Sequence, residues 1–362
     1  MKTLFFTLIC FGYSFLGYSQ SKILVFHETN QFRQGSITSG IDMFENLGNE
    51  NNEWITDNSQ DSSVFTDANL QQYDAVVFLN TSGSDETGSD GDLLTSSEKL
   101  ALENFIANGK GFIGVHAATD TYRDGSWPFY NELVGGIVQT NPNHTSNNYN
   151  ADLVVLADNI IIDFLGPVGS IWNKNEEYYY WEQNGGQLSA TNIVLLEVEQ
   201  TGNETYDAAR PIAWFKESMT YDDDNDNSTA NITLTGFRSF YTALGHNNSD
   251  YESNTNFRTM LKNATLWAIG QETLNVTGQD IENFKLFPNP VEHVVNITVA
   301  NSALVTSITV YNELGQQIMH KKINTTPVTK PYALDISALD QGIYILKLMH
   351  DNKNSYFKFI KK

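Results

Sequence analysis

The chain has 362 residues, of which 40% are hydrophobic and 12% aromatic, so it is long enough for two domains and can form a sizeable core. Acidic residues outnumber basic ones by 43 to 21, which gives a formal net charge of −22. A surface of this sign repels phosphate backbones and anionic lipid headgroups. The composition therefore argues against nucleic-acid binding and against binding to anionic membranes.

Residues 1–19 are predicted to be a signal peptide. Lys2 supplies the positive start, the segment 4–16 is largely apolar, and the small residues Gly17 and Ser19 suit a cleavage site. The apolar run is short for a bilayer span, and no later segment approaches one. Cys10, the only cysteine, leaves with this peptide. The mature chain is therefore expected to have no disulfide, no thiolate nucleophile and no cysteine metal ligand.

Residues 20–270 alternate strand and helix patterns. Apolar runs at 22–26, 74–79 and 111–115 are typical of buried parallel strands. A helix ending at Gly48 lies between the first two, and a helix that begins with a Thr95–Glu98 capping box lies between the second and third. Further strands are predicted at 152–156, 193–199, 211–216 and 232–242, and a last helix at 256–269. This order predicts an α/β fold with a doubly wound parallel sheet.

The composition changes after a polar segment at 271–283, which is predicted to be a linker. Residues 280–362 carry 9 lysines and 7 acidic residues, whereas residues 20–279 carry 11 basic and 36 acidic residues. Short alternating strands separated by turn residues predict a small all-β sandwich over 284–362.

Polar side chains follow the predicted strands at the points where the strands end. His27 follows the first strand, Asn80 the second and His116 the third, and Asp120 comes four residues after His116. The carboxyl ends of parallel strands line the ligand crevice of an open α/β sheet. We therefore expect His27 and His116 to emerge at the same edge of the sheet.

The turn at His116 resembles the nucleophile elbow of G-x-S-x-G hydrolases, because Gly114 and Ala118 flank a reactive side chain where a strand turns sharply. The equivalent residue of class I glutamine amidotransferases is a cysteine. Since the mature chain lacks cysteine, glutamine hydrolysis by a thiolate is excluded. A histidine at this position can act as a base, a metal ligand or an electrophile.

The segment from Gly111 to Thr121, GFIGVHAATDT, resembles the signature of the ThuA (trehalose utilisation) family. Other motifs that resemble the family follow in its order: WPFY at 127–130, LVGG at 133–136, NEEYY at 175–179, RPIAWF at 210–215 and SFYTALGH at 239–246. The resemblance spans nearly all of residues 20–270. It implies a flavodoxin-like, class I glutamine amidotransferase-like fold and a role in handling trehalose or related sugars.

The tail resembles the type A sorting domain of the type IX (Por) secretion system of Bacteroidetes, through LFPNP at 286–290, VYNELG at 310–315 and LDQGIY at 339–344. The resemblance implies export through the outer membrane, with the tail removed in transit. The expected location is therefore the cell surface or the medium, and the expected partner is the type IX machinery.

The ThuA resemblance places His246 and one of Glu176 or Glu177 in the crevice with His27 and His116. We expect catalytic roles for His116, His246, Glu176, Glu177 and Asp120, with Asp120 orienting His116. We expect sugar contacts from His27, Asn80, Trp127, Tyr179 and His144. If the cluster is functional, replacing His116 by alanine should abolish binding or turnover and barely change stability, because a crevice residue contributes little to packing.

Three positions depart from the family pattern. Gln34 and Asn141 stand where the family usually has histidine, and Asn175 stands at or beside its usual aspartate.

Three functions remain open. The first is a sugar-processing enzyme that uses His/Glu acid–base groups. The second is a non-catalytic carbohydrate-binding protein of the cell surface, which the altered positions favour.

The third function is a metal-dependent hydrolase in which His27, His116 and His246 join a carboxylate. Three histidines and a carboxylate suit Zn²⁺, but the chain has no H-x-H or H-E-x-x-H spacing. A divalent metal is thus a possible cofactor and no other is indicated. Asp222, Asp224 and Asp226 alternate as calcium ligands do, but the loop lacks the glycine of an EF-hand, so a solvated turn is favoured.

Overall fold

The computed structural model describes residues 20–83, 92–222, 231–271, 284–299, 305–312, 316–323, 331–350 and 353–362. The predicted signal peptide, most of the acidic loop after Tyr221 and nearly all of the predicted linker lie outside the described residues. The chain divides into two compact units between Thr273 and Leu274. Within the described residues, no helix has the length and apolar character needed to cross a membrane.

The first unit contains eleven strands and six α-helices among its described residues. In chain order they are β1 (Ser21–Phe26), α1 (Ile37–Glu50), β2 (Trp54–Ser59), α2 (Asp67–Leu70), β3 (Ala75–Leu79), α3 (Ser96–Ala107), β4 (Gly111–Val115), α4 (Pro128–Val134), β5 (Gly136–Ile137), β6 (Tyr149–Val155), β7 (Ile171–Glu176), β8 (Gln187–Leu188), β9 (Ile193–Val198), β10 (Arg210–Tyr221), β11 (Ile232–Thr242), α5 (Asn248–Glu252) and α6 (Thr255–Ala268).

Nine of these strands form one mixed sheet in the order β2-β1-β3-β4-β11-β10-β9-β6-β7. The five strands from β2 to β11 run parallel, and they include β1, β3 and β4, which the sequence predicts to be parallel. The remaining four pair antiparallel, so the sheet is parallel in only one half. The predicted α/β class is confirmed, and the antiparallel half is the part that the sequence did not predict.

The central strands of the parallel half are buried on both faces. Every residue of β3 (AVVFL) and β4 (GFIGV) is buried, which explains why these strands are continuous apolar runs. Burying one such side chain contributes roughly 1.5–3 kcal/mol. The predicted capping box of α3 is present, since the Glu98 carboxylate accepts a hydrogen bond from the Thr95 backbone N–H at 2.7 Å.

The strand register brings the ends of three strands level at the carboxyl edge of the sheet. Val115, the last residue of β4, pairs with Leu79 of β3 on one side and Thr242 of β11 on the other. Asn80, His116 and Ala243 therefore leave the sheet side by side. This edge is where open α/β sheets bind ligands.

The second unit is all β, as predicted. Its strands are β12 (Phe284–Phe287), β13 (Val294–Val299), β14 (Val305–Asn312), β15 (Gln317–Lys322), β16 (Tyr332–Asp335), β17 (Gly342–His350) and β18 (Lys353–Lys361). They form two antiparallel sheets, β12-β13-β16 and β15-β14-β17-β18. Ile297 of the first sheet and Leu346 of the second belong to one buried cluster, so the two sheets enclose a single core.

The buried amine of Lys216 on β10 gives the first unit a predictable pH dependence. Its Nζ donates hydrogen bonds to the Glu132 carbonyl and to the hydroxyls of Ser189 and Thr191, and burial lowers the pKa of Lys216 to about 8. The pKa of a lysine side chain in an unfolded protein is about 10.4. Between these values the unfolded chain binds more protons, so stability should rise with pH by about 3 kcal/mol in total.

Denaturant unfolding of the protein and of Lys216→Met at pH values from about 7.5 to 9.5 measures this effect. Above pH 8 the unsubstituted protein should gain about 1.4 kcal/mol per pH unit relative to the variant. Parallel pH profiles for the two proteins would show that Lys216 titrates normally.

Candidate functional site

His116 is the first residue after β4 and lies in a strained turn. Its φ of 48° is in the left-handed region, which few non-glycine residues adopt, and its side chain is fully buried. Nδ1 lies 2.7 Å from the carbonyl oxygen of Ala243, at the end of the neighbouring β11. The turn and the adjacent strand therefore fix the direction of the imidazole ring, with Nε2 on the opposite side.

Glu177 lies at the centre of a group of three histidines. Its Oε1 is 3.6 Å from Nε2 of His116, and its Oε2 is 3.3 Å from Nδ1 of His246 and 3.6 Å from Nδ1 of His144. The Glu177 side chain is 5% exposed. We call these four side chains, His116, His144, Glu177 and His246, the Glu177 cluster.

Burial shifts the pKa of the two most deeply placed groups in opposite directions. Burial lowers the pKa of His116 to about 4, against the nearby charge of Glu176. Burial raises the pKa of Glu177 to about 7, although His246 favours the ionised form. At neutral pH His116 is therefore neutral, with one ring nitrogen carrying a lone pair.

Tyr179 completes one wall of the cluster. Its ring stacks on that of His116 with centroids 4.7 Å apart, and its hydroxyl lies 3.2 Å from His116 Nε2. The backbone of Tyr179 also pairs with that of His144, which carries His144 to the site from a separate loop. His116, His144 and Tyr179 are therefore neighbours in the structure.

Glu176 is not a member of the Glu177 cluster but supports it by accepting hydrogen bonds from the backbone. One of its oxygens accepts hydrogen bonds from the backbone N–H groups of Glu177 (3.0 Å) and His246 (3.2 Å). The other accepts from the N–H of Gly245 and from Nζ of Lys174 at 2.6 Å. One buried carboxylate thereby fixes the backbone that presents both Glu177 and His246.

Lys174 is the cation of a buried ion triad with Glu176 and Asp250. Its Nζ is 2.6 Å from each carboxylate, and all three side chains are at most 4% exposed. Burial and the charge of Glu176 raise the pKa of Asp250 to about 7. Burial alone would also raise the pKa of Glu176, but the positive charge of Lys174 outweighs this effect and the pKa of Glu176 is lowered. Lys174 and Asp250 were not among the predicted site residues.

His27 lies apart from the Glu177 cluster. Its Nε2 is 3.3 Å from Asn58, and its Nδ1 is 3.2 Å from the guanidinium of Arg33. It has no hydrogen bond or ion pair with the cluster among the described residues, and the group that can hold a metal ion does not include it. The described residues that could hold a metal ion together are His116, Glu177 and His246, so His27 does not join them as the metal-dependent alternative supposed.

Asp120 forms an ion pair with Arg123, at 2.5 Å. Both ring nitrogens of His116 have other partners, so the orienting role expected of Asp120 belongs to the Ala243 carbonyl and Tyr179.

Two other predicted sugar contacts are buried. Asn80 donates to Ser36 and Tyr251, and Trp127 stacks on Tyr130 and donates to Glu103. Their predicted contact with sugar stays a prediction.

The cluster is nearly closed to solvent. His116 is fully buried, whereas His144 and His246 keep side-chain exposures of 27% and 16%. Three surface cavities of about 260–470 Å³ lie elsewhere, between α2 and α3, between α1 and α6, and beside Tyr206. We assign the site by its chemistry rather than by cavity size, because the convergent titratable groups lie in the Glu177 cluster. His144 and His246 are the members of the cluster that solvent reaches.

The family comparison agrees with this architecture. Residues 22–268 match the model of the ThuA family, described as trehalose utilisation. The chain belongs to the ThuA family. Residues 285–362 match the secretion system C-terminal sorting domain, so the ThuA-family protein carries an export tail.

Solved structures similar to the chain include ThuA-like proteins from Bacteroides uniformis (17% identity, 73% of this chain and 97% of that chain, TM-score 0.48) and Parabacteroides merdae (14%, 72% and 94%, 0.49). A glutamine amidotransferase from Thermotoga maritima also matches, at 11% identity over 70% of this chain and 99% of that chain, with a TM-score of 0.39. No curated protein gives a significant match.

Proposed function

We propose that this exported ThuA-family protein is an enzyme that binds trehalose or a related glycoside in the crevice and processes it with the Glu177 cluster. One observation carries the proposal: three histidines converge on a single buried carboxylate at the ligand-binding edge of an α/β sheet. The family's description as trehalose utilisation supports the choice of substrate class.

The side chains of the cluster differ in their exposure to solvent, and we assign them different roles accordingly. His144 and His246 are the members that solvent reaches, so a sugar hydroxyl entering the crevice meets them first. Glu177 lies within 3.6 Å of both. The rigid pair of His116 and Tyr179 closes the inner wall and excludes water. Carboxylate and imidazole groups at this spacing can hold a reacting hydroxyl and transfer its proton.

The proposal is tested by incubating the purified protein with trehalose, sucrose, maltose and cellobiose, and by following melting temperature and products. We expect at least one glucoside to raise the melting temperature and to be consumed. Glu177→Gln should abolish consumption, whereas Glu182→Gln, at an exposed position outside the cluster, should not. Equal turnover in both variants would remove the cluster from the reaction.

A non-catalytic carbohydrate-binding role is the second candidate. Gln34, Asn141 and Asn175 depart from the family pattern, and Asn175 is exposed and donates to the Asn148 carbonyl instead of joining the cluster. Under this alternative, sugars raise the melting temperature but no product forms with any sugar of the panel.

Export should leave a processed protein. We expect the secreted form to begin at Gln20 and to lack most of residues 284–362, because the chain starts with a signal-peptide pattern and ends in a sorting domain. Mass spectrometry of both termini of the secreted protein measures this. Recovery of an intact chain from the medium would contradict both processing steps.

A further inference from the structure

We propose that His116, Glu177 and His246 bind one divalent transition-metal ion, for which Zn²⁺ is the best match. The site is distinct from the ligand set expected from the sequence, because it excludes His27. It is the only group of its kind within the described residues. The inference concerns metal binding by the protein alone, so it does not require the sugar-processing function to be correct.

The spacing of the candidate ligand atoms fits tetrahedral coordination. Bonds of about 2.1 Å at tetrahedral angles place ligand atoms about 3.4 Å apart. The Glu177 oxygens lie 3.6 Å from His116 Nε2 and 3.3 Å from His246 Nδ1, and ligand atoms of the three residues all lie within 4.8 Å of one another. Small side-chain movements therefore suffice to place one ion between them.

The histidines offer lone pairs to the centre of the group. The Ala243 carbonyl accepts a hydrogen bond from His116 Nδ1–H, which leaves His116 Nε2 unprotonated. Nε2 lies 3.6 Å from Glu177 and 3.2 Å from the Tyr179 hydroxyl, whose hydrogen bond a bound ion would replace. Nδ1 of His246 is buried and has no hydrogen-bond partner of good geometry. An unsatisfied buried nitrogen 3.3 Å from a carboxylate is what a missing metal ion leaves behind.

Charge balance also favours a cation. Glu177 is buried, and its ion-pair contacts in the described chain are all with histidines. Lys174 is committed to Glu176 and Asp250. A buried carboxylate without a permanent positive partner is strongly unfavourable, and a divalent ion in contact with it supplies that charge.

The surroundings have the features of a supported metal site. Glu176 fixes the backbone N–H groups of both Glu177 and His246, and Ala243 fixes His116, so each of the three ligands has an outer partner. Three protein ligands leave the fourth tetrahedral position for water or another ligand, the pattern of catalytic rather than structural zinc sites. His144, 3.6 Å from Glu177, is the nearest further histidine to the three proposed ligands.

The test is metal binding by the full chain without its signal peptide, stripped with a chelator and dialysed against Zn²⁺ or Co²⁺. We expect one ion per chain and the intense visible absorption of tetrahedral Co²⁺ with nitrogen and oxygen ligands. His246→Ala and the isosteric Glu177→Gln should each weaken binding by a factor of 100 or more. His27→Ala, which removes a histidine outside the group, should leave stoichiometry and spectrum unchanged.

Unchanged affinity in His246→Ala and Glu177→Gln, both shown folded by circular dichroism, would overturn the inference, as would the absence of binding by the unsubstituted chain. Loss of the ion in His27→Ala alone would restore the ligand set expected from the sequence and overturn this one. Binding of one ion without turnover of any sugar would uphold the metal site and reject the enzymatic function. Sugar turnover by a protein that binds no Zn²⁺ or Co²⁺ at this group would uphold the enzymatic function and reject the metal site.

Discussion

Lys174→Met is expected to lower the free energy of unfolding by about 3–5 kcal/mol, because it leaves two buried carboxylates without their cation. Glu176 and Asp250 each lie 2.6 Å from Nζ of Lys174, and neither side chain is more than 4% exposed. Removing the amine also releases the carboxylate that holds the backbone of Glu177 and His246. The variant should therefore lose ligand binding as well as stability.

Lys110→Met provides a matched control, since it makes the same chemical change at an ion pair that is partly exposed to solvent. Lys110 lies 2.9 Å from Asp74, with side-chain exposures of 31% and 35%. Its loss should cost no more than about 1 kcal/mol. Denaturant unfolding of the two variants gives both numbers. Similar losses for Lys174→Met and Lys110→Met would show that the buried triad stabilises the fold no more than a partly exposed ion pair does.

Glu177→Gln is expected to reduce turnover by a factor of about 10² or more, as is typical when a proton-transferring or ligand group is lost. The stability of the metal-free protein should stay the same or rise. The carboxylate is buried among imidazole side chains, and an amide of the same shape avoids the free-energy cost of desolvating a charge. Lower turnover together with unchanged or higher stability is expected when a residue serves function at the expense of stability.

His116→Ala is a less informative variant than the sequence suggests. The structure places this side chain in full burial, bonded to Ala243 and stacked on Tyr179, so its removal also damages packing. A loss of stability in His116→Ala is therefore compatible with a functional role. Glu177→Gln separates the two effects, and a fall in its melting temperature together with unchanged turnover would identify Glu177 as a structural residue.

Strands β1, β3 and β4 of the parallel half could be predicted from the sequence because they are almost completely buried. Continuous apolar runs such as those of β3 and β4 can be recognised as strands without knowing which strands they pair with. Strand β7 could not be found in this way. Its buried face carries Trp172, Lys174 and Glu176, so polar residues occupy the positions where hydrophobic ones mark a half-buried strand.

The site was predictable only as far as strand order could be guessed. His116 and His246 meet because β4 and β11 are neighbours, a pairing between segments far apart in the chain. His27 follows β1, which is separated from β4 by β3, and two strand spacings amount to roughly 10 Å. Residues at one edge of a sheet share a crevice, but contact additionally requires adjacent strands.

The choice between Glu176 and Glu177 also depended on tertiary structure. Glu176 is the last residue of β7 and lies on its buried face with Lys174, whereas Glu177 follows the strand and turns toward the histidines. Both glutamates are buried, so exposure would not have separated them. The partner of each carboxylate decides its role: an amine for Glu176 and imidazoles for Glu177.

Crystals of the protein grown with Zn²⁺ and measured on both sides of the zinc absorption edge test the central claim most directly. The account predicts one strong anomalous peak in the first unit, about 2 Å from His116 Nε2, His246 Nδ1 and a Glu177 oxygen. A zinc peak elsewhere in this unit, with no zinc peak in the Glu177 cluster, would contradict the account.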